Sequence, residues 1–121
     1  MIIAEIGSVH DGSIGNALNL IDLSKKCGAS AVKFQMHIAE EESTINAPNP
    51  KYFKSENRYE YFQRTAFSID QWKKIINYSS KLNIDFVCSP FSLKALKILV
   101  ENLGVKNIKI ASGEVNNTPF L

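Results

Sequence analysis

Charged and hydroxyl side chains stand at the ends of four short apolar stretches in this sequence. The stretches are residues 2–7, 31–35, 86–90 and 108–114. They carry two glutamates, two lysines, a glutamine and two serines: Glu5, Glu114, Lys33, Lys109, Gln35, Ser89 and Ser112. Lysines that converge with hydroxyl donors make an anion site, and nearby carboxylates suit sugar hydroxyls or proton transfer. These residue types predict a small, anionic, oxygen-rich substrate, most simply a phosphorylated one.

The direction of these side chains follows from strand alternation. Successive side chains point to opposite faces of a strand, so Lys33 and Gln35 share one face and Phe34 takes the other. By the same rule Lys109 and Glu5 point away from the apolar residues beside them. An open doubly wound sheet needs apolar residues on both faces, whereas a closed βα barrel has a lumen with the active site at its C-terminal mouth. Lysines on this face therefore favour a barrel. A structural ion pair between Glu5 and either lysine remains a competing interpretation, and it could coexist with a site.

The apolar stretches alternate with amphipathic segments. Helical spacing of apolar residues predicts three helices, over residues 14–27, 69–82 and 93–103. The expected caps are Ser13, Ser68 with Gln71, and Ser92 at helix starts, and Gly28 and Gly104 at helix ends. The strands are expected near residues 2–6, 30–35, 84–88 and 107–111. Strands that alternate with helices predict an α/β fold with parallel pairing.

The connection after the second strand, residues 37–67, is longer than the others. It contains a run of three glutamates, two prolines and six aromatic residues: Tyr52, Phe53, Tyr59, Tyr61, Phe62 and Phe67. Loops of this length are usually functional or disordered, and the aromatic content argues against disorder. A short helix fits residues 56–63. A decorated loop over the sheet and a segment that covers a substrate both remain open.

The composition of the 121 residues excludes several classes of protein. With 45% hydrophobic and 21% charged residues and a net charge of +2, the chain has no basic field of the kind that nucleic-acid binding needs. No stretch approaches the ~20 apolar residues of a membrane span, and the N-terminus does not resemble a signal peptide. We therefore expect a cytoplasmic protein with no nucleic-acid or membrane partner. The two cysteines, Cys27 and Cys88, are expected to be free thiols.

The two histidines lie in different loops and are poor evidence for a metal site within this chain. His10 follows the first strand and is expected at the mouth of the sheet, in a structural role. His37 follows the second strand and has no evident partner in the sequence.

Four segments together resemble the sialic acid synthase family. They are residues 4–12 (AEIGSVHDG), 32–35 (VKFQ), 88–92 (CSPFS) and 109–117 (KIASGEVNN), in the family's order and spacing. This is the N-acetylneuraminate synthase group, which includes legionaminate and pseudaminate synthases and related bacterial surface-polysaccharide enzymes. The Lys-Ile-Ala-Ser-Gly-Glu stretch is the most specific element.

The resemblance implies a (β/α)8 barrel enzyme that condenses phosphoenolpyruvate with a 2-acetamido-type hexose, such as N-acetylmannosamine, to give a nonulosonic acid and phosphate. It implies that C3 of phosphoenolpyruvate attacks the open-chain aldehyde, that water adds at C2, and that phosphate leaves by C–O cleavage. It also implies a divalent metal, Mn²⁺ or Mg²⁺, that polarises the aldehyde and whose ligands lie outside this chain. The full-length enzyme is expected to be a homodimer.

The resemblance also suggests roles for individual residues. Lys33, Lys109 and Ser112 resemble the phosphoenolpyruvate-binding residues, and Gln35 and Ser89 resemble supporting contacts. The expected catalytic residues, which hold the sugar or the reacting aldehyde, are Glu5 and Glu114. Two positions depart from the family pattern: Val9 stands where the family usually has Asn, and Cys88 stands where it commonly has Ser.

The length of the chain limits these expectations. A barrel of this type typically needs ~250 residues, so residues 1–121 are expected to be the N-terminal half of a synthase barrel, with three helices between the first four strands. The rest of the barrel and a C-terminal antifreeze-like domain would be absent, and the piece alone would be inactive. Two alternatives remain. One is a non-catalytic half-barrel that binds an anionic sugar or assembles with a second chain. The other is a different phosphoenolpyruvate- or aldolase-type barrel, in which Lys33 or Lys109 could form a Schiff base.

Overall fold

Four parallel strands form one sheet in the part of the chain that the computed structural model describes, residues 1–51 and 55–121. The strands are β1 (Ile3–Gly7), β2 (Ala31–Met36), β3 (Asp85–Pro90) and β4 (Asn107–Ile108), and they pair in sequence order. Each pair of neighbours is parallel, so a helical crossover returns the chain to the same end of the sheet. The predicted α/β fold is confirmed.

Five α-helices connect the strands within the described residues. They are α1 (Ile14–Lys26), α2 (Ala39–Glu42), α3 (Arg58–Thr65), α4 (Ile69–Lys81) and α5 (Leu93–Lys97), which continues as a π-helix over Ile98–Asn102. None of the helices described is long and apolar enough to cross a membrane. The three predicted helices correspond to α1, α4 and α5 with its extension.

Side chains at the helix starts explain why the helices begin where they do. The Ser13 hydroxyl accepts the Asn16 N–H at 3.2 Å, and the Ser92 hydroxyl accepts the Ala95 N–H at 3.1 Å. Ser68 and Gln71 form a reciprocal capping box at the start of α4. Each of these bonds satisfies a backbone N–H that the first turn of a helix leaves unpaired, as the sequence predicted.

The helices cover one face of the sheet and form the core there. Phe34 at the centre of that face is fully buried, and its ring packs nearly perpendicular to that of Trp72 from α4, with 6.0 Å between the centroids. Ile21 from α1 and Leu99 are equally buried in the same cluster. The predicted alternation in β2 is confirmed, because Phe34 enters the core while Lys33 and Gln35 stay on the opposite face.

The fourth strand is shorter than predicted. β4 ends at Ile108, whereas the sequence suggested a strand through residue 111. The Lys109 N–H still donates to the Cys88 carbonyl at 3.0 Å, but the chain then turns into a short 3₁₀ helix, Ser112–Glu114. Among the described strands, β4 pairs with β3 alone. A strand at the edge of a sheet has hydrogen-bond partners on one side only, so fewer bonds hold its backbone in the extended conformation.

The long connection between β2 and β3 folds over the carboxyl ends of the strands. The short helix expected at residues 56–63 is present as α3, slightly later in the chain. Phe62 and Phe67 are buried, and Tyr52 and Phe53 lie outside the described residues. Arg64 at the end of α3 pairs with Asp11 in the β1–α1 loop at 2.7 Å, which joins the connection to that loop.

Candidate active site

Four of the predicted site residues lie on the sheet face opposite the core. Strand register pairs Glu5 with Lys33 across β1 and β2, and Gln35 with Ser89 across β2 and β3. Lys33 and Gln35 are two residues apart in β2, so all four side chains share one face. The structure therefore places these four side chains together at the carboxyl ends of three strands.

Lys33 and Glu5 form an ion pair at this face. The Lys33 side chain is 14% exposed and the Glu5 side chain 50% exposed, so the lysine is the more enclosed partner. An enclosed ammonium needs an opposite charge to offset its lost hydration. The structural ion pair considered from the sequence is thus present. It does not exclude a site, because an incoming anion could replace the half-exposed carboxylate on Lys33.

Ser89 brings an unused hydroxyl to the same face. Its Oγ is buried and has no hydrogen-bond partner among the described residues. Leaving a buried hydroxyl without a partner costs free energy, so such a group calls for an explanation. A ligand oxygen beside Lys33 and Gln35 would satisfy it.

Gly7 ends β1 in a conformation that keeps the site open. Its φ of +53° lies in the left-handed region, where residues with a Cβ are strained. A Cβ here would lie 3.3 Å from Glu5 Oε1 and 3.6 Å from Gln35 Nε2. Glycine therefore leaves room for these two side chains at the mouth.

Lys109, Ser112 and Glu114 follow β4 and extend the site toward its edge. Register through the Lys109 N–H bond places Lys109 next to Ser89 along the sheet. Ser112 is exposed, and Glu114 accepts a hydrogen bond from Asn117 Nδ2 at 2.8 Å. Glu114 lines a cleft of about 370 Å³ that also includes Glu42 and Arg58. The structure thus places Glu5 and Glu114 in two different regions of the mouth.

His37 had no evident partner in the sequence, but it has four in the structure. Its ring is stacked between Phe62 and Phe91, with centroid distances of 4.0 and 4.1 Å. Its Nδ1 lies 2.8 Å from Glu42 Oε2, and its Nε2 lies 3.2 Å from Gln35 Oε1. One signal was available in the sequence. Residues 33, 35 and 37 are every second residue along β2 and its end, so strand alternation places them on the same face.

A cleft of about 460 Å³ opens beside Gln35 and His37. It is lined by Ser8, Val9, Gln35, His37, Arg58, Tyr61, Phe62 and Phe91. Three of these residues belong to α3, so the long connection supplies one wall of the cleft. That placement favours a segment that covers a substrate over a merely decorated loop. Val9, which replaces the usual family Asn, is part of the lining.

His10 lies in the core instead of at the open mouth. It is 2% exposed, and its ring packs against Phe67 at 4.3 Å and Phe34 at 6.0 Å. Its Nδ1 accepts the Gly12 N–H at 3.1 Å, and burial lowers its pKa to about 4 although Asp11 acts in the opposite direction. The expected structural role agrees with this packing, but the expected position was wrong because the loop turns the ring inward between the aromatic rings.

The cysteines and histidines do not assemble a metal site here. Over residues 1–51 and 55–121, no group of three His, Cys, Asp or Glu side chains is arranged to hold a metal ion. Cys88 is buried in the core, where burial raises the pKa of its thiol far above the usual range, and Cys27 is exposed. The described residues offer no fit for a divalent metal, and the expectation of a metal with ligands elsewhere stays a prediction.

Known proteins resemble this chain in both sequence and fold. The model of the NeuB family matches residues 20–121. The chain belongs to the NeuB family. The predicted membership in the sialic acid synthase group is confirmed.

Individual relatives agree with this NeuB assignment. The NeuB-family chain is 34% identical over 126 residues to N,N′-diacetyllegionaminic acid synthase of Campylobacter jejuni, covering 100% of this chain and 37% of that protein. It is 35% identical to N-acetylneuraminate-9-phosphate synthase of Mus musculus, covering 99% of this chain and 34% of the mouse protein. The chain thus spans little more than a third of these relatives.

A solved structure confirms the fold of this NeuB-family chain. The N-acetylneuraminic acid (sialic acid) synthetase of Leptospira borgpetersenii, crystallised in complex with citrate, superposes with a TM-score of 0.80 at 30% identity. The match covers 98% of this chain and 38% of the Leptospira chain. The prediction of a partial (β/α)8 barrel is confirmed, and the order of parallel strands and crossovers corresponds to its first part.

Proposed function

We propose that this chain forms the phosphoenolpyruvate-binding wall of a synthase that condenses phosphoenolpyruvate with an N-acetylated hexose. The observation that carries the proposal is the shared face of Glu5, Lys33, Gln35 and Ser89 at the carboxyl ends of parallel strands. This is the end at which barrel enzymes hold their substrates. Relatives named as synthases of sialic-type acids support the same reaction class.

Lys33 is the group best placed to hold the anion. Its ammonium is enclosed, and its ion-pair partner among the described residues is the half-exposed Glu5 carboxylate. A substrate phosphate or carboxylate would take over this pairing, while the Ser89 hydroxyl donates its unused hydrogen bond. Lys109 adds a second positive charge at the same edge.

The reaction proposed for this site forms a C–C bond and a new C2–O bond from water, and it breaks the C2–O bond to phosphate. C3 of phosphoenolpyruvate attacks the aldehyde carbon, whose oxygen becomes a hydroxyl, and water adds at C2. Phosphate then leaves with the electrons of the C2–O bond. Negative charge grows on the departing phosphate, so fixed ammonium groups from Lys33 and Lys109 stabilise the transition state more than the ground state. Glu5, released from Lys33, is free to accept a hydrogen bond from a sugar hydroxyl.

Phosphate release tests this function. The complete enzyme that contains this chain is incubated with phosphoenolpyruvate and a panel of 2-acetamido and 2,4-diacetamido hexoses. We expect phosphate from at least one sugar, and ¹⁸O placed in the C2–O bridge should appear in the phosphate. No release across the whole panel would refute the proposal.

Two further measurements separate this function from the alternatives. Borohydride should trap no adduct on Lys33 or Lys109, since the proposed condensation has no Schiff base, and a trapped adduct would favour the aldolase-type alternative. The isolated 121-residue chain should release no phosphate, because four strands cannot close a barrel. Robust turnover by that chain would contradict the need for the remaining strands.

We also propose that the complete enzyme is a cytoplasmic homodimer. Mass measurement in solution would test the homodimer, and cell fractionation would test the location.

A further inference from the structure

We propose that His37 and Glu42 are positioning residues that hold the Gln35 amide with its nitrogen directed toward the site. The three side chains form a continuous chain of contacts. Glu42 Oε2 lies 2.8 Å from His37 Nδ1, and His37 Nε2 lies 3.2 Å from Gln35 Oε1. The order Glu42–His37–Gln35 leads from α2 to the centre of the site face.

The Glu42 carboxylate is fixed before it meets the histidine. Its Oε1 accepts the Ile38 N–H at 2.8 Å, and its side chain is only 4% exposed. A carboxyl group this enclosed requires a hydrogen-bond partner for its second oxygen as well. His37, itself 9% exposed, is that partner.

Each ring nitrogen of His37 meets an oxygen in this arrangement. The Gln35 amide oxygen can only accept, so the ring donates to it from Nε2, and the contact between Nδ1 and Glu42 Oε2 completes the chain. Phe62 and Phe91 stack on the two faces of the ring, which fixes its plane and with it the direction of the Nε2–H bond.

Other charged groups lie around the ring. Arg58 lies 5.3 Å from the centroid of Phe62, whose ring stacks on His37. On the other side, Glu40 and Lys94 line a neighbouring cavity with His37, and Lys94 is already paired with Glu40 and Glu41. Glu42 is therefore the acidic group in direct contact with the ring.

The consequence is a defined orientation of Gln35. With its oxygen held by His37, its Nε2 lies near Gly7, 3.6 Å from the position of a Cβ on that residue. The site face then presents an N–H donor next to Glu5. Such a donor recognises a carbonyl or hydroxyl oxygen. If the proposed function holds, that oxygen belongs to the sugar acceptor.

Nuclear magnetic resonance on the complete enzyme, unaltered, tests the orientation without any activity. We expect His37 Nε2 to give the ¹⁵N shift of a protonated nitrogen. We also expect an Overhauser effect between the Gln35 amide protons and the α-protons of Gly7. An unprotonated Nε2, or amide protons close to His37 Hε1 instead, would overturn the inference.

Kinetics on the complete enzyme test the positioning role. His37→Phe keeps an aromatic ring in the stack but removes both hydrogen bonds, so KM for the sugar should rise about tenfold. KM for phosphoenolpyruvate should change by less than about twofold, because Lys33 is untouched. An unchanged sugar KM would refute the role, whereas absent turnover by the unaltered enzyme would refute only the proposed function and leave the resonance test decisive.

A conservative variant separates positioning from simple packing. In Glu42→Gln the amide oxygen can still accept the Ile38 N–H while its NH₂ donates to His37 Nδ1. A neutral ring then still donates from Nε2 to Gln35, so the sugar KM should stay within about threefold of the unaltered enzyme. Glu42→Ala should behave like His37→Phe, and Glu41→Ala, which alters a side chain that contacts Lys94 instead, is the matched control. Equal effects of the Gln and Ala variants of Glu42 would overturn the hydrogen-bond chain.

Discussion

Replacing Gly12 by alanine should destabilise this protein more than any ordinary glycine substitution. Gly12 lies in the loop between β1 and α1, which also brings Ser8 and Val9 to the cleft. Its φ is +77°, and a Cβ on it would lie 2.6 Å from the Arg64 carbonyl oxygen at the end of α3. The substitution therefore tests whether the long connection closes onto this loop.

Two costs add at this position. A positive φ costs a residue with a Cβ roughly 1–2 kcal/mol. The contact with Arg64 involves backbone, which cannot rotate away, and overpacking of this kind costs typically about 1–3 kcal/mol more. The free energy of unfolding should therefore fall by roughly 2–5 kcal/mol, a large part of the ~5–15 kcal/mol that stabilises a typical domain.

Urea unfolding, followed by the fluorescence of the single, buried Trp72, measures this change. Gly28→Ala is the matched control, because Gly28 has φ +83° but nothing within 4 Å of its Cβ position. This variant should lose only the stability that the positive φ costs, roughly 1–2 kcal/mol. Equal losses of unfolding free energy for the two variants would show that α3 does not approach Gly12. The conclusion that α3 forms one wall of the cleft would then be wrong.

Three further predictions concern charged and titratable side chains. Lys33→Met in the complete enzyme should lower kcat/KM for phosphoenolpyruvate by about 10²-fold or more, measured by phosphate release. The reason is the loss of the fixed positive charge that binds the anion. The pKa of His10, lowered from 6.5 to about 4, means that the unfolded chain binds more protons between these values. Stability should therefore be complete above pH 6.5 and fall by up to about 3 kcal/mol as the pH drops toward 4, measured by urea unfolding at each pH. A thiol reagent should modify exposed Cys27 in the folded chain and buried Cys88 only on unfolding.

Each of these predictions has its own control. Lys106→Met, an exposed lysine at the amino end of β4, should leave kcat/KM unchanged, and an equal loss there would mean that general charge, not Lys33, matters. His10→Phe should flatten the stability profile between pH 6.5 and 4, and an undiminished slope would assign it to another group. Rapid modification of two thiols in the folded chain would contradict the burial of Cys88.

Local features of the fold were predictable because their causes are local. The hydroxyls of Ser13, Ser68 and Ser92 cap helices through bonds that span three residues, so the sequence alone identifies them. The alternation around Phe34 assigned one face of β2 to the core for the same reason. Those two regularities were enough to place Lys33 and Gln35 on the site face.

Features that depend on distant parts of the chain were not predictable. The end of β4 at Ile108 depends on which strands lie beside it, and the inward turn of His10 depends on the rings of Phe34 and Phe67. The approach of Arg64 to Gly12 joins positions 52 residues apart in sequence, and no spacing rule reaches that far.

The sequence by itself determined which residues can do chemistry and on which face they lie, because strand periodicity and residue type are properties of short segments. Only the tertiary structure decided how they are held. The Lys33–Glu5 pair and the unused Ser89 hydroxyl come from the register of neighbouring strands. The stacking of His37 between Phe62 and Phe91 comes from two connections, β2–β3 and β3–β4, that meet at the mouth of the sheet. Packing between segments far apart in sequence fixed these contacts, and with them the orientation of Gln35.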